Sequence, residues 1–397
     1  GVLALSMKLT VAVCVRPASA PPAQLLRVHP QQRALETRGC TFQFDGLYQD
    51  EPVRLLMESA LPLVETVLDG NSAALVCVGA ERTGKSFALF GTAAGETGLA
   101  VRALCDLVSA ARARGDAAVG LRVWLLSDET GKSVTGARQP LESRYDLLAP
   151  RAPVAVPDVS RVTVLELHSV ADVQEALERA LGARQRCSTL HPALSRAHFI
   201  LNAEFLTSVT NPRTRTELTI VELGALSVRP QFAAGRGPQL AQRGMPAHTA
   251  LCTVLRALAS RGNSAGHPNC GDKGPSVAIG SPALNFGGSF SLKGPSVAPA
   301  AGTAIGWRDS ILTRELKPHL EKAVSAIVLL HIDPSDRYMR ETVSTLSWGR
   351  RLNRFVRTAA CGGAATAAGS TTSELRTLGE RALGAGFSEL RTLGERA

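Results

Sequence analysis

Aromatic side chains are scarce in this chain. Phe, Trp and Tyr make up 4% of 397 residues, with 3 Trp and 3 Tyr among them. A surface that stacks bases in series needs such rings, so their scarcity argues against a single-strand nucleic-acid platform. No run of Lys and Arg resembles a nucleic-acid tail. Long apolar runs are lacking too, and none approaches the ~18 uninterrupted residues of a spanning helix. The 8 cysteines include no CxxC pair and no histidine nearby at metal-ligand spacing. They read as reduced and structural, which excludes a zinc module or a disulfide frame. Charge is modest at 20% against 45% hydrophobic residues. That is a folding composition, and it rules out a disordered chain, a collagen and a stapled miniprotein.

What charge there is leans basic. Lys and Arg number 44 against 34 Asp and Glu, which gives a net charge of +10 and a pI near 9.6. Such a surplus favours an acidic partner: nucleic acid, an anionic membrane or an acidic protein surface. Near the start, Met7 to Val15 followed by Ala18-Ser19-Ala20 imitates a signal peptide with its cleavage site. Arg16 and Pro17 interrupt the imitation. A strand leading into a turn accounts for them better, and an intracellular protein is expected.

Residues 7–260 and 304–356 alternate strand-like and helix-like patterns, as a layered α/β domain does. Ala74-Leu75-Val76-Cys77-Val78 reads as a strand buried on both faces, as does Ala326 to Leu330. Leu104, Leu107, Val108 and Ala111 line one side of a helix beginning at Leu99. Ser169 and Asp172 have the spacing of a helix start, and Leu218 to Val221 forms a β-like run before Glu222. Two stretches differ. Residues 261–303 are rich in Gly, Ser and Pro, contain Lys-Gly-Pro-Ser-Val-Ala twice, and are expected to form a flexible insertion. Residues 358–397 are Ala/Gly-rich and repeat a ten-residue segment at 373–382 and 388–397, which reads as a mobile tail.

The sharpest motif is Gly79-Ala80-Glu81-Arg82-Thr83-Gly84-Lys85-Ser86, which fits G-x-x-x-x-G-K-[ST] without mismatch. A strand before it and a helix beginning near Phe87 after it supply the geometry this chemistry needs. Glycines let successive N–H groups turn inward at phosphate oxygens, helped by the positive end of the following helix. Lys85 then reaches the β- and γ-phosphates, and the Ser86 hydroxyl ligates Mg²⁺. By itself the loop leaves a motor, a GTPase, a small-molecule kinase and an ATPase all open.

Further blocks choose among these. Phe42 to Tyr48, Pro62 to Gly70, the phosphate loop, Gly98 to Leu104, Ser195-Arg196-Ala197-His198, Val221 to Ser227, Arg308 to Arg314 and Glu341 to Leu346 follow one another in fixed order. In that order and spacing, about residues 7–356 resemble the kinesin motor domain. The resemblance implies a P-loop NTPase fold with a mixed, largely parallel sheet of about eight strands and helices on both faces. It implies ATP with Mg²⁺ as ligand, microtubules as track, and a place in the cytoplasm on the cytoskeleton, without nucleic acid or membrane as partners. Arg16 and Pro17 would border the adenine, and Phe87 would stack on it or else serve as a core aromatic. Ser195, Arg196, Glu222 and Gly224 would form the switch elements of catalysis, with Ser86, Ser195 and Glu222 around the metal. Arg308, Arg314 and Lys317 would face acidic tubulin.

The same register exposes departures. Where family switch I reads N-x-x-S-S-R-S-H, this chain has His191, Leu194 and Ala197 beside the retained Ser195, Arg196 and His198. Where switch II reads D-L-A-G-S-E, Glu222 keeps a carboxylate, Ala225 stands at the glycine, and Ser227 stands at the glutamate that should pair with Arg196. Gly224 would supply the phosphate-facing N–H only after a one-residue shift, and Arg196 is expected to lack its acidic partner. Phosphoryl transfer depends on positioning, so these losses bear on rate more than on binding. No neck linker or dimerising coil is recognisable after Arg357, which argues against two-headed stepping. A weak ATPase and a non-hydrolysing microtubule scaffold are both compatible with this pattern.

Overall fold

A computed structural model describes residues 7–17, 26–37, 39–49, 55, 58–59, 61–91, 97–115, 117–127, 144–150, 153–190, 192–207, 214–226, 246–261 and 305–361. Gly1–Val356 is one compact unit and Arg357–Ala397 another, and residues 357–361 are the described part of the second. The rest of the expected tail, and the expected insertion beyond Arg261, lie outside the described residues, as does Ser227.

Thirteen strands are described: β1 (Lys8–Val15), β2 (Leu26–His29), β3 (Ala34–Thr37), β4 (Cys40–Gln43), β5 (Gly46–Gln49), β6 (Ser72–Gly79), β7 (Ala117–Leu126), β8 (Arg144–Asp146), β9 (Val154–Val156), β10 (Leu165–Leu167), β11 (His198–Thr207), β12 (Thr214–Glu222) and β13 (Ala323–Ile332). Ten of them form the main sheet in the order β5-β1-β13-β6-β12-β11-β7-β8-β9, with β10 also on β7; β2, β3 and β4 form a small antiparallel sheet. From β5 through β1, β13 and β6 to β12 the pairings are parallel, and beyond β12 they are antiparallel.

The expected mixed sheet with helices on both faces is present, with a strand count that roughly matches. The main sheet has ten strands rather than about eight, because short segments such as Arg144–Asp146 extend its far edge. It is parallel only in the half that bears the phosphate loop, because β11 and β12 are joined as a hairpin and β7 pairs antiparallel to β11.

Strand alternation divides the core into two layers. Leu9, Val11, Val13 and Val15 point to one face while Ala12 and Cys14 point to the other; Ala74, Val76 and Val78 likewise oppose Ala73, Leu75 and Cys77. The second face is covered by α1 (Leu61–Leu68), α2 (Lys85–Phe90), α3 (Leu99–Arg114) and α4 (Val170–Leu190). The first is covered by α5 (Pro246–Ser260), α6 (Ile311–Leu320) and, as far as Leu352, α7 (Met339–Cys361). Because both faces are covered, β6 is buried along its whole length and reads as an unbroken apolar run.

Helix starts follow local chemistry. At α4 the Ser169 Oγ accepts from the Asp172 N–H at 3.2 Å, and Asp172 Oδ2 accepts from the Ser169 N–H at 2.9 Å. At α6, Ser310 and Thr313 exchange the same pair of bonds at 3.0 and 3.1 Å. The buried side of α6 then carries Leu312, Leu316 and Leu320, leaving Arg314 and Lys317 exposed. Beyond the cap residue Thr313, two polar side chains share the buried side. Glu315 accepts from Trp124 Nε1 at 3.0 Å and pairs with Arg144, and His319 Nδ1 lies 2.7 Å from Glu217 Oε2.

Candidate functional site

β6 and β12 run parallel side by side and deliver their C-terminal ends to one place. The loop Gly79–Ser86 leaves β6 there and turns directly into α2. Gly84 takes φ +94, a left-handed conformation that a side chain would resist, so the loop can close onto the helix. Thr83 Oγ1 donates to the Ala80 carbonyl at 2.9 Å, which fixes the bend from inside. Glu81, Arg82, Ser86 and Phe87 are exposed along the mouth.

Lys85 is buried and donates to the Gly79 and Ala80 carbonyls at 2.8 and 2.6 Å. Burial pushes its pKa down to about 8, against the upward pull of Glu222 and Cys77. Its ammonium is therefore parked on the loop, with the attraction of Glu222 sustaining its charge. Ser86 Oγ donates to Glu222 Oε1 at 2.8 Å. Two hard oxygen donors thus adjoin at the mouth, the kind of set that holds Mg²⁺ when phosphates complete its shell. Among the described residues no group of three His, Cys, Asp or Glu side chains gathers to hold a metal unaided.

Sequence reasoning missed the residue that controls this carboxylate. Arg184 on α4 grips Glu222 with both arms, Nη1 to Oε2 at 2.6 Å and Nη2 to Oε1 at 3.1 Å. Burial raises the Glu222 pKa, but Arg184, Ser86 and Lys85 outweigh it and hold the carboxyl below its ordinary range. Arg184 also lies over the Phe199 ring at 5.3 Å. A signal was present in the sequence, since Arg184 follows inward-facing Ala180 by one helical turn. His331 was missed as well. It is buried on β13 opposite Gly79 and Cys14, its Nε2 has no hydrogen-bond partner among the described residues, and burial followed by Lys85 pushes its pKa down to about 3.

The remaining sequence candidates fall around this centre. Arg16 Nη1 donates to the Arg82 carbonyl at 2.5 Å and lies 3.6 Å from Asp333, while Pro17 is exposed beside it. Phe87 is 47% exposed, so the core-aromatic alternative fails. Ser195 and Arg196 close the short turn Pro192–Arg196, both exposed. Arg196 does not lack an acid: Glu81 of the phosphate loop lies 3.7 Å from its Nε. That corrects the expectation, because the loop itself supplies a carboxylate that the switch II sequence lacks. Gly224 donates its N–H to His198 Nδ1 at 3.0 Å, so the alternative phosphate-facing donor is already engaged. Arg308, Arg314 and Lys317 are exposed, in and just before α6.

A strand, a phosphate loop with a buried lysine, and a helix, set beside a carboxylate at the end of the neighbouring parallel strand, define a P-loop nucleotide-site architecture. Comparison narrows the class. The kinesin motor-domain family model matches residues 13–355, and the chain belongs to that family. It is 27% identical over 331 residues to the kinesin-like protein Nod of Drosophila melanogaster, covering 79% of this chain and 41% of the relative. The chain spans between about a fifth and two fifths of the length of the curated relatives it matches. Among solved structures, Drosophila NOD with divalent manganese and ADP superposes with a TM-score of 0.61 at 21% identity, over 89% of this chain and 99% of that one. A structure of NOD and bovine tubulin docked into a cryo-EM map of nucleotide-free NOD complexed to the microtubule gives 0.59 at 21% identity, with the same coverage.

Proposed function

We propose that about residues 7–356 form an ATP- and microtubule-binding kinesin motor domain of weak hydrolytic capacity, working in the cytoplasm on the cytoskeleton. The observation that carries the nucleotide reading is the meeting of Lys85, Ser86 and Glu222 at one strand end, with Lys85 Nζ 2.8 Å from a loop carbonyl and Ser86 2.8 Å from the carboxylate. In this reading the loop N–H groups cradle the phosphates and Lys85 swings from the carbonyls to the β- and γ-oxygens. Ser86, Glu222 and, from switch I, Ser195 hold Mg²⁺ or its waters. Mg²⁺ held there would neutralise phosphate charge. Arg16 and Pro17 border the base and exposed Phe87 stacks on it.

Slow hydrolysis follows from groups already committed elsewhere. Glu222 is bound by Arg184 and Ser86, and the Gly224 N–H by His198. Those same bonds favour a second reading, a non-motile microtubule-binding pseudo-motor or scaffold without hydrolysis. The relative whose structure is docked with tubulin supports the track assignment for both readings.

The track contact is assigned to Arg308, Arg314 and Lys317, of which Arg314 and Lys317 lie on the exposed side of a helix whose buried side is anchored by leucines. Acidic tubulin meets them chiefly through charge, and exposed charges are screened within ~8–10 Å at physiological salt. Co-sedimentation with microtubules should therefore weaken as salt rises, and Arg314→Glu with Lys317→Glu should weaken it further at fixed salt. Salt-insensitive pelleting, or pelleting unchanged by the double reversal, would remove this face from the proposal.

A further inference from the structure

Switch II is held by three of its own N–H groups. Leu223 donates to the Cys77 carbonyl at 3.0 Å, Gly224 to His198 Nδ1 at 3.0 Å, and Leu226 to the Gly79 carbonyl at 3.1 Å. The Gly224 carbonyl, which belongs to the next peptide group, is held as well, lying 3.1 Å from His248 Nε2 on α5. Gly224 is thus clasped, through the peptide groups on either side of its Cα, between two buried histidines whose rings are 5.9 Å apart. The chemistry assigns the tautomers: His198 accepts at Nδ1 and so carries its proton on Nε2, while His248 must donate from Nε2 to an oxygen.

The clasp has little slack. A Cβ at Gly224 would stand 1.9 Å from the Arg196 carbonyl oxygen, so switch II and switch I backbones touch at this point. The His248 carbonyl is itself fixed, accepting from Trp348 Nε1 at 2.9 Å on α7. The Gly79 carbonyl that receives Leu226 also receives Lys85. A γ-phosphate that drew the N–H of Leu223, Gly224 or Leu226 toward itself would have to break bonds in this set, Ala225 lies between two of these held residues, and the two histidine bonds are buried from water. Losing either bond is unfavourable, and more so where a buried partner is left unpaired.

Resting on the nucleotide reading above, we propose that His198 and His248 lock switch II in one conformation regardless of the γ-phosphate, so that the site recognises the diphosphate portion and scarcely distinguishes ATP from ADP. His248 is then a positioning residue that acts through the Gly224 carbonyl. Arg184 and Ser86 hold Glu222 independently, so releasing the clasp frees the switch II backbone without disturbing that carboxylate.

Calorimetry with MgADP and the Mg²⁺ complex of a non-hydrolysable ATP analogue, paired with hydrogen exchange over residues 223–226, tests this. The unmodified chain should bind both with affinities within about threefold, and exchange at 223–226 should be equally slow with either ligand. His248→Leu fills the space without a donor and should open a preference for the analogue of about tenfold, with exchange at 223–226 becoming ligand-dependent. His248→Gln, which keeps a donor, should behave like the unmodified chain. A large preference between the two nucleotides in the unmodified chain, with exchange that follows the ligand, would overturn the lock. So would a His248→Leu variant with unaltered discrimination. If His248→Leu does not fold, the unmodified chain and His248→Gln decide alone. Absence of binding by either nucleotide would instead defeat the nucleotide reading on which the lock rests.

Discussion

Replacing Lys85 by Met lowers the affinity for MgADP by about ten- to a hundredfold while the chain stays folded. The lysine is buried and its charge is held at the loop by Glu222, so it is available to phosphates within the span of one side chain. A charged hydrogen bond is worth about 1.5–3 kcal/mol, which corresponds to that range of affinity. Met keeps the aliphatic stem in its pocket and removes only the ammonium. The Gly79 and Ala80 carbonyls lose a donor in the variant, so part of the cost falls on loop order. Lys85→Ala should lose at least as much binding and somewhat more stability, since it also leaves a cavity. Calorimetry beside a thermal melt separates the two contributions. Equal affinity for unmodified chain and Met variant would place the phosphates elsewhere.

A comparably large effect is expected on stability from Arg184. Its side chain and that of Glu222 are 22% and 4% exposed, so Arg184→Ala strands a buried carboxylate. Removing one partner of such a pair costs about 3–5 kcal/mol, whereas replacing both by neutral groups of similar shape costs little. Denaturant unfolding should therefore show a large loss in Arg184→Ala and substantial recovery in Arg184→Met with Glu222→Gln. The sign of the pH dependence follows. In the unmodified chain Glu222 is held below the ordinary carboxylate range, so it stabilises above the unfolded value near 4.5 and that stability is lost as pH falls through the folded value. Without Arg184 the largest opposing influence is gone and burial, which raises the pKa, gains the upper hand. Mild acidification should then destabilise the variant less than it does the unmodified chain. A variant as stable as the unmodified chain at neutral pH would show that the pair is solvated.

These two residues also mark how far the sequence could be read. The loop was legible because its chemistry demands fixed residue types at fixed spacing, and Ala74 to Val78 was legible because a strand covered on both faces has no polar positions. Arg184 was not, since its partner lies on a strand end 38 residues away and the helical pattern alone cannot name it. Glu81 is a similar case: within the motif it occupies a variable position, and its approach to Arg196 exists only after β11 has brought switch I beside the loop. The short strands Arg144–Asp146 and Val154–Val156 carry too little alternation to betray a sheet edge. Glu315 and His319 resemble ordinary surface residues of α6 until the fold sets them against Arg144 and Glu217. Hydrophobic patterning reports which face is buried; it does not report which polar groups are buried with a partner.

The bonds that occupy Glu222, Gly224 and Arg196 converge on one consequence, a nucleotide site better built to hold than to hydrolyse. Loss of a single positioning group commonly costs roughly 10²–10⁴-fold in rate, and here several are engaged elsewhere. The most direct test is ATP turnover with and without microtubules, measured on the same preparation whose MgADP and MgATP affinities have been determined. Saturable nucleotide binding with turnover that stays near its basal rate as microtubules are added is the predicted result. Turnover strongly stimulated by microtubules would contradict it, and would show that the bonds now holding the switches break readily on the track.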